Sequence, residues 1–237
     1  MATPDSPVLI SAKMNGNDDR TSHNCAKYEH IRHDMVARQI YDRGIRSPRL
    51  LAAVKSIPRH LFVPPDLIGR AYADEALPSS NGQSISQPYM VAASTDALEL
   101  QGYERVLEVG AGTGYQAAVV SLLSREVTAL EAIPALAESA RERLKRLGYR
   151  NVRVEVGDGS QGFSESSPFD AILVSAAAPS VPQPLLDQLA EGGRLVIPVG
   201  KADHQQLLKI VKSEGRIFEQ ELFACRYVPL VGRYGWR

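Results

Sequence analysis

Cysteine is nearly missing from this chain: only Cys25 and Cys225 occur in 237 residues. That excludes a disulfide framework, and no Cys/His spacing suits zinc, so a reducing compartment is expected. Neither sign of charge dominates. Twenty-seven Lys and Arg balance 27 Asp and Glu and are scattered, so there is no basic stripe for a polyanion and no nucleic-acid partner is expected. No apolar run is long enough for a bilayer, and "MATPDSPVLISAKMNGNDD" lacks the basic start and sustained apolar stretch of a signal peptide. The expectation is a cytoplasmic monomer with no membrane partner. Signatures of chemistry are missing too: no Ser-His-Asp order, no zinc motif and no paired carboxylates stand out.

What is present reads as an α/β protein. Residues 1–24, rich in Pro, Ser, Asn and Asp, read as a disordered extension. Ile31, Met35, Val36 and Ile40 have helical spacing, with Gly44 as the stop. "SPRLLAAVKSIP" offers Ser47 as N-cap, Pro48 at the first helical position, a stripe of Leu50, Leu51, Val54 and Ile57, and Pro58 as terminator. These helices and the loop through Asn81 form an N-terminal cap. Five apolar runs then read as buried strands: 105–110, 126–131, 152–156, 170–175 and 193–200. Helical patterns lie between them near 115–124, 134–147 and 183–190, which implies βαβ units and a doubly wound, mostly parallel, Rossmann-like sheet. "QQLLKIVK" and "FEQELFACRYVPL" read as two more strands, antiparallel at the sheet edge.

"VLEVGAGTGYQ" is a strand running into a glycine turn and then a helix. Gly110, Gly112 and Gly114 let the backbone turn sharply and let a ligand touch it with no Cβ in the way. A dinucleotide fingerprint places its third glycine where this chain has Tyr115, a poor fit against a sheet. The spacing G-x-G-x-G, with Glu108 inside the strand, looks instead like the S-adenosyl-L-methionine loop of class I methyltransferases. Glu131 ends the next strand and suits ribose hydroxyls of either cofactor type. Asp158, in "GDGSQG", is either a turn residue or part of an adenine pocket with Gly159. Asp170 opens a strand and reads as structural.

One segment remains: "NGQSISQPYM", residues 81–90, mostly hydroxyls, amides, glycine and proline, placed just before the glycine loop. With "QSISQPYMVA", "VLEVGAGTGYQAAVV", "GDG", "PFDAILVSAAAP", "QLAEGGRLVIPVG" and "RYVPLVGRYGW", the chain resembles the protein-L-isoaspartate O-methyltransferases from about residue 28 to 237. The resemblance implies a methyltransferase domain over 25–237, with a helical cap and active-site loop at 25–101 and a cofactor-binding core at 102–237. It implies that Ser86 matches the active-site serine and that Gln83, Ser84 and Ile85 lie over the cofactor. It implies methyl transfer from S-adenosyl-L-methionine to the free α-carboxyl of isoaspartyl residues in peptides and proteins. Three departures stand out: Ser84 replaces the usual threonine, Ser79 and Ser80 stand where "LPIG" is common, and Val231 replaces a threonine found in some members.

The absences suit that chemistry. A carboxylate is already ionised at pH 7 and needs no strong base to attack a methyl group. Ser86 is then a group that orients the carboxylate; the competing reading is a cap for the helix beginning at Pro88. Two other functions stay open at this point. One is a methyltransferase-like protein acting on another carboxylate or small molecule, or serving as a non-catalytic adaptor; the other is a nicotinamide oxidoreductase.

Overall fold

The computed structural model describes residues 28–237; the expected disordered extension and Cys25 lie outside that range. Helix α1 (28–35) continues as a π-helical turn over Val36–Tyr41, and α2 spans Pro48–Ser56. The Ser47 hydroxyl accepts the Leu50 N–H at 3.4 Å, Pro48 fills the first turn, and Ile57 leaves the helix extended before Pro58. Ile31 departs from expectation at 36% exposed. Burial on this helix begins only at Met35, one turn after Ile31.

Three short turns, Arg59–Leu61, Pro65–Arg70 and Ser80–Gly82, and a two-stranded ribbon of β1 (Leu77–Pro78) and β2 (Ser84–Ile85) lead to α3 (Pro88–Asp96). The main sheet then alternates with helices: β3 (Arg105–Val109), α4 (Tyr115–Ser121), β4 (Glu126–Glu131), α5 (Pro134–Arg146), β5 (Val152–Val156), β6 (Phe169–Val174), α6 (Gln183–Asp187) and β7 (Leu189–Lys201). Strands β8 (His204–Ser213) and β9 (Arg216–Cys225) complete it in the order β5-β4-β3-β6-β7-β8-β9. Pairings from β5 through β7 are parallel, while β7–β8 and β8–β9 are antiparallel. This is the doubly wound, mostly parallel, Rossmann-like architecture expected, with its antiparallel edge. Strand β7 starts earlier than expected because Leu189 already pairs with Phe169, before a register shift carries the ladder to Arg194.

Burial explains the order. β3 sits centrally and is covered on both faces, so from Val106 on its side chains are apolar without alternation apart from Glu108, whereas β5 at one edge is buried only at Val154. Val106, Ala129 and Leu173 face a cluster shared with cap residues Met35, Ile57 and Phe62. Leu107, Ile172 and Leu195 face the opposite cluster with Leu185 and Leu230. Leu107 is fully buried at the sheet centre, where truncation to alanine costs about 2–5 kcal/mol. The strand order reverses between β3 and β6. In such sheets ligands bind outside the carboxyl ends of the strands at that reversal. No helix among the described residues is long and apolar enough to cross a membrane.

Candidate active site

A cavity of about 300 Å³ opens at that reversal, within the range of small-molecule sites. Its floor comes from the ends of three strands: Val109 and Gly110 after β3, Leu130 and Glu131 on β4, Ser175 and Ala176 after β6. Gln83, Ser84, Ile85 and Ser86 form one wall, and Val228, Pro229, Leu230 and Val231 of the C-terminal strap form another. Among the described lining residues, Glu131 and Tyr115 are the ionisable side chains and none is basic.

The glycine loop is held open by its own geometry. Gly110, Gly112 and Gly114 all have positive φ, and a Cβ at Gly112 would project into empty space. The Gly110 and Ala111 N–H groups donate to the Leu130 carbonyl, and the Gly112 N–H donates to Glu131 Oε2 at 2.8 Å. The other Glu131 oxygen accepts the Ile133 N–H at 3.1 Å. Tyr115 is buried in the cap-side apolar cluster. It sits edge-on to Phe62 of the cap, 5.4 Å between centroids.

The polar segment 81–90 runs from the turn of a hairpin through β2 into the start of α3. Leu77 pairs with Ile85 and Pro78 with Ser84, and the turn passes through Asn81 and Gly82, both at positive φ. Ser79 is partly exposed and Ser80 fully so, at the tip rather than in the cap packing. The ribbon delivers Ser86 to the cavity wall. The capping position of α3 belongs to Gln87, with no side-chain cap bond, so Ser86 does not cap that helix. Gln87 instead donates to Asp74 Oδ1 at 2.7 Å. Among the described residues the Ser86 hydroxyl makes no hydrogen bond, while its carbonyl accepts from Arg59 Nη2.

Of the residues given to the cofactor site from the sequence, Glu108, Gly114 and Asp158 lie outside the cavity lining. Glu108 is fully buried, and neither carboxylate oxygen has a partner. Burial, and next the like charge of Glu131, push its carboxyl well above the ordinary range. Asp158 instead holds the chain terminus: it accepts the Ser160 N–H at 3.0 Å, the Ser160 hydroxyl at 2.6 Å and the Arg233 N–H at 2.8 Å. Burial opposes its charge, but these donors hold its pKa below the usual value. Gly159 between them does line the cavity, and a Cβ there would overlap the Val109 side chain. Asp170 accepts the Arg105 N–H at 2.8 Å, the structural part expected of it. Sequence reasoning missed Arg59, Tyr115 as a contact of the cap, and the lining residues Thr113 and Gln116.

Comparison with known proteins decides the family. The sequence profile of protein-L-isoaspartate(D-aspartate) O-methyltransferase (PCMT) matches residues 30–235. The chain belongs to this family. It is 51% identical over 206 residues to the protein-L-isoaspartate O-methyltransferase of Methanoculleus marisnigri, covering 87% of this chain and 94% of that one. The Syntrophus aciditrophicus protein of the same name is 49% identical over 213 residues, covering 89% and 98%. A solved protein-L-isoaspartate O-methyltransferase superposes with a TM-score of 0.77 at 29% identity, over 86% of this chain and 67% of its own. A Plasmodium falciparum chain assigned to the same activity and solved with S-adenosyl-L-homocysteine gives 0.73 at 27%, over 84% and 98%.

The family's cofactor, S-adenosyl-L-methionine, suits this cavity on three counts. The open side of Gly112 leaves a cradle that a Cβ would fill. Glu131 keeps free lone pairs for hydroxyl donors after binding Gly112 and Ile133. Within the lining an acidic side chain and the lack of any basic one favour a cationic ligand and offer a dinucleotide's diphosphate no counter-charge.

Proposed function

We propose that the protein transfers the methyl group of S-adenosyl-L-methionine to the free α-carboxyl of L-isoaspartyl residues in damaged proteins and peptides. A neighbouring backbone amide nitrogen of the substrate then attacks the ester carbonyl and expels methanol to give a succinimide, and hydrolysis of that ring returns part of the substrate to normal aspartate. The observation that carries the reading is the unengaged Ser86 hydroxyl, lining the same cavity as the glycine loop. We assign the cofactor to Gln83, Ser84 and Ile85 above, Gly110, Gly112 and Glu131 at the loop and ribose, and Asp158 and Gly159 around the base. Glu108 acts from behind the loop as an uncompensated acid. Residues 25–237 act as one domain, supported by an apolar cluster running from Met35 in the cap to Leu207 in the sheet. We take the enzyme to work as a cytoplasmic monomer without nucleic-acid or membrane partners, in keeping with its balanced charge.

When bound, the cofactor supplies an electrophilic methyl carbon on a sulfonium. The protein need not supply a base, because an α-carboxyl with a pKa near about 3.5 is ionised at pH 7. That matches a cavity whose described lining holds no histidine or lysine. Its task is alignment and exclusion of water, which is worth on the order of 7–11 kcal/mol. Ser86 donates to the carboxylate and orients it. Since the carboxylate loses charge as it attacks, a strong bond to it would favour the ground state, so a single hydroxyl serves better than a cation. The strap residues Val228–Val231 and the cap border the mouth, and Val231 is 61% exposed there, where a flexible peptide would lie. The test is methyl transfer to an isoaspartyl peptide and to its aspartyl twin. Transfer to the first alone supports the reading, and equal or absent transfer to both contradicts it.

A further inference from the structure

Arg59 stands on the short turn after α2 and is 0% exposed. Among the described residues no carboxylate pairs with it; its partners are two carbonyls and a ring. Nε donates to the Ala71 carbonyl and Nη2 to the Ser86 carbonyl, both at 2.8 Å, and the guanidinium carbon lies 4.7 Å from the centre of the Tyr115 ring. Nη1 is buried with no partner. Burial lowers the pKa of Arg59, with Tyr115 acting the opposite way. A buried cation without a matching anion is a costly way to fill space, and apolar side chains of similar volume often serve stability as well or better. An apolar side chain cannot hold two carbonyls and an aromatic face at once.

Two of those partners, Ser86 and Tyr115, belong to the two halves of the cavity. Ser86 lies on the serine wall, and Tyr115 is the first residue of α4 after the glycine loop; both line the cavity. Gln87 is tied separately to Asp74, so the side-chain hold on Ser86 itself is Arg59. We propose that Arg59 is a positioning residue for methyl transfer, a buried fork that fixes the Ser86 backbone against the glycine-loop helix and so sets where the Ser86 hydroxyl meets the substrate. This rests on the function proposed above. The fork geometry matters as much as the charge, because Nε and Nη2 reach carbonyls in different segments.

The test compares wild type, Arg59→Lys and Arg59→Met as full chains. Single-turnover methyl transfer to an isoaspartyl peptide, peptide KM, S-adenosylhomocysteine affinity by calorimetry and Tm are measured for each. The expected result is folded variants with cofactor affinity and KM near wild type but slower transfer, by about a hundredfold for Met. Lys, which keeps the charge and one donor, is expected to recover part of the rate. Two results overturn the proposal: wild-type transfer rates in either folded variant, or loss of folding in both, which would make Arg59 a purely structural residue. A wild-type protein that fails to methylate the isoaspartyl peptide contradicts the functional reading instead, and the two failures are thereby distinct.

Discussion

Glu131 Oε2 accepts the backbone N–H of Gly112 at 2.8 Å, so the acid ending β4 and the glycine loop after β3 are one unit. The carboxylate therefore does two things: it fixes the loop and presents its remaining lone pairs to a ligand's hydroxyls. Glu131→Ala removes both. A hydrogen bond to a charged group is worth about 1.5–3 kcal/mol. Calorimetric titration is expected to show S-adenosylhomocysteine binding weakened by about ten- to a hundredfold, with the fold retained. Unchanged affinity would remove Glu131 from the cofactor site.

Asp158 latches the strap that walls the cavity, through the Arg233 N–H and through Ser160, whose hydroxyl also accepts the Tyr234 N–H. Its folded pKa lies below the ordinary aspartate value. Folding therefore favours the charged form, and the resulting stability is present above the unfolded pKa and lost as pH falls through the folded one. The Tm advantage of wild type over Asp158→Asn is expected to be full at pH 7 and to fade below about pH 4. A gap that stays constant with pH would mean that the charge of Asp158 does not hold the strap.

Glu108 has the opposite sign. Its folded pKa is raised, so folding favours the neutral acid; that contribution is full below the unfolded pKa and lost as pH rises through the folded one. Glu108→Gln keeps the volume and removes the ionisation. Thermal melts are expected to show Glu108→Gln gaining on wild type as pH rises above about 4.3. Parallel Tm profiles for the two proteins would show that folding does not raise the Glu108 pKa.

Local chemistry was legible in the sequence and long-range commitments were not. The Ser47 cap, the glycine spacing of the loop and the apolar strands of the sheet follow from neighbours a few residues apart, and each stands where the pattern put it. Asp158 reads as a loop acid until Arg233, 75 residues later, takes its oxygen. Arg59 looks like one more surface cation in "SIPRHLFVPP", because its partner carbonyl on Ser86 lies 27 residues away and carries no sequence signal. Glu108 fits a family motif, yet strand alternation turns it to the cap-side face along with Val106, away from Val109, which does line the cavity. Ile31 failed for a different reason: its helical spacing holds, but it lies one turn before the point at which the helix becomes buried, at Met35.

The central claim is that Ser86 orients a carboxylate that is already ionised, and neither attacks it nor caps a helix. Single-turnover methyl transfer to an isoaspartyl peptide by Ser86→Ala, alongside its Tm, tests this most directly. Losing one positioning hydrogen bond is worth about 0.5–3 kcal/mol, a rate loss of roughly two- to a hundredfold, and Tm is expected to stay at the wild-type value. Full activity with a lowered Tm would make Ser86 a structural residue, and a roughly million-fold collapse in a stable protein, the scale of losing a covalent nucleophile, would contradict a purely orienting role.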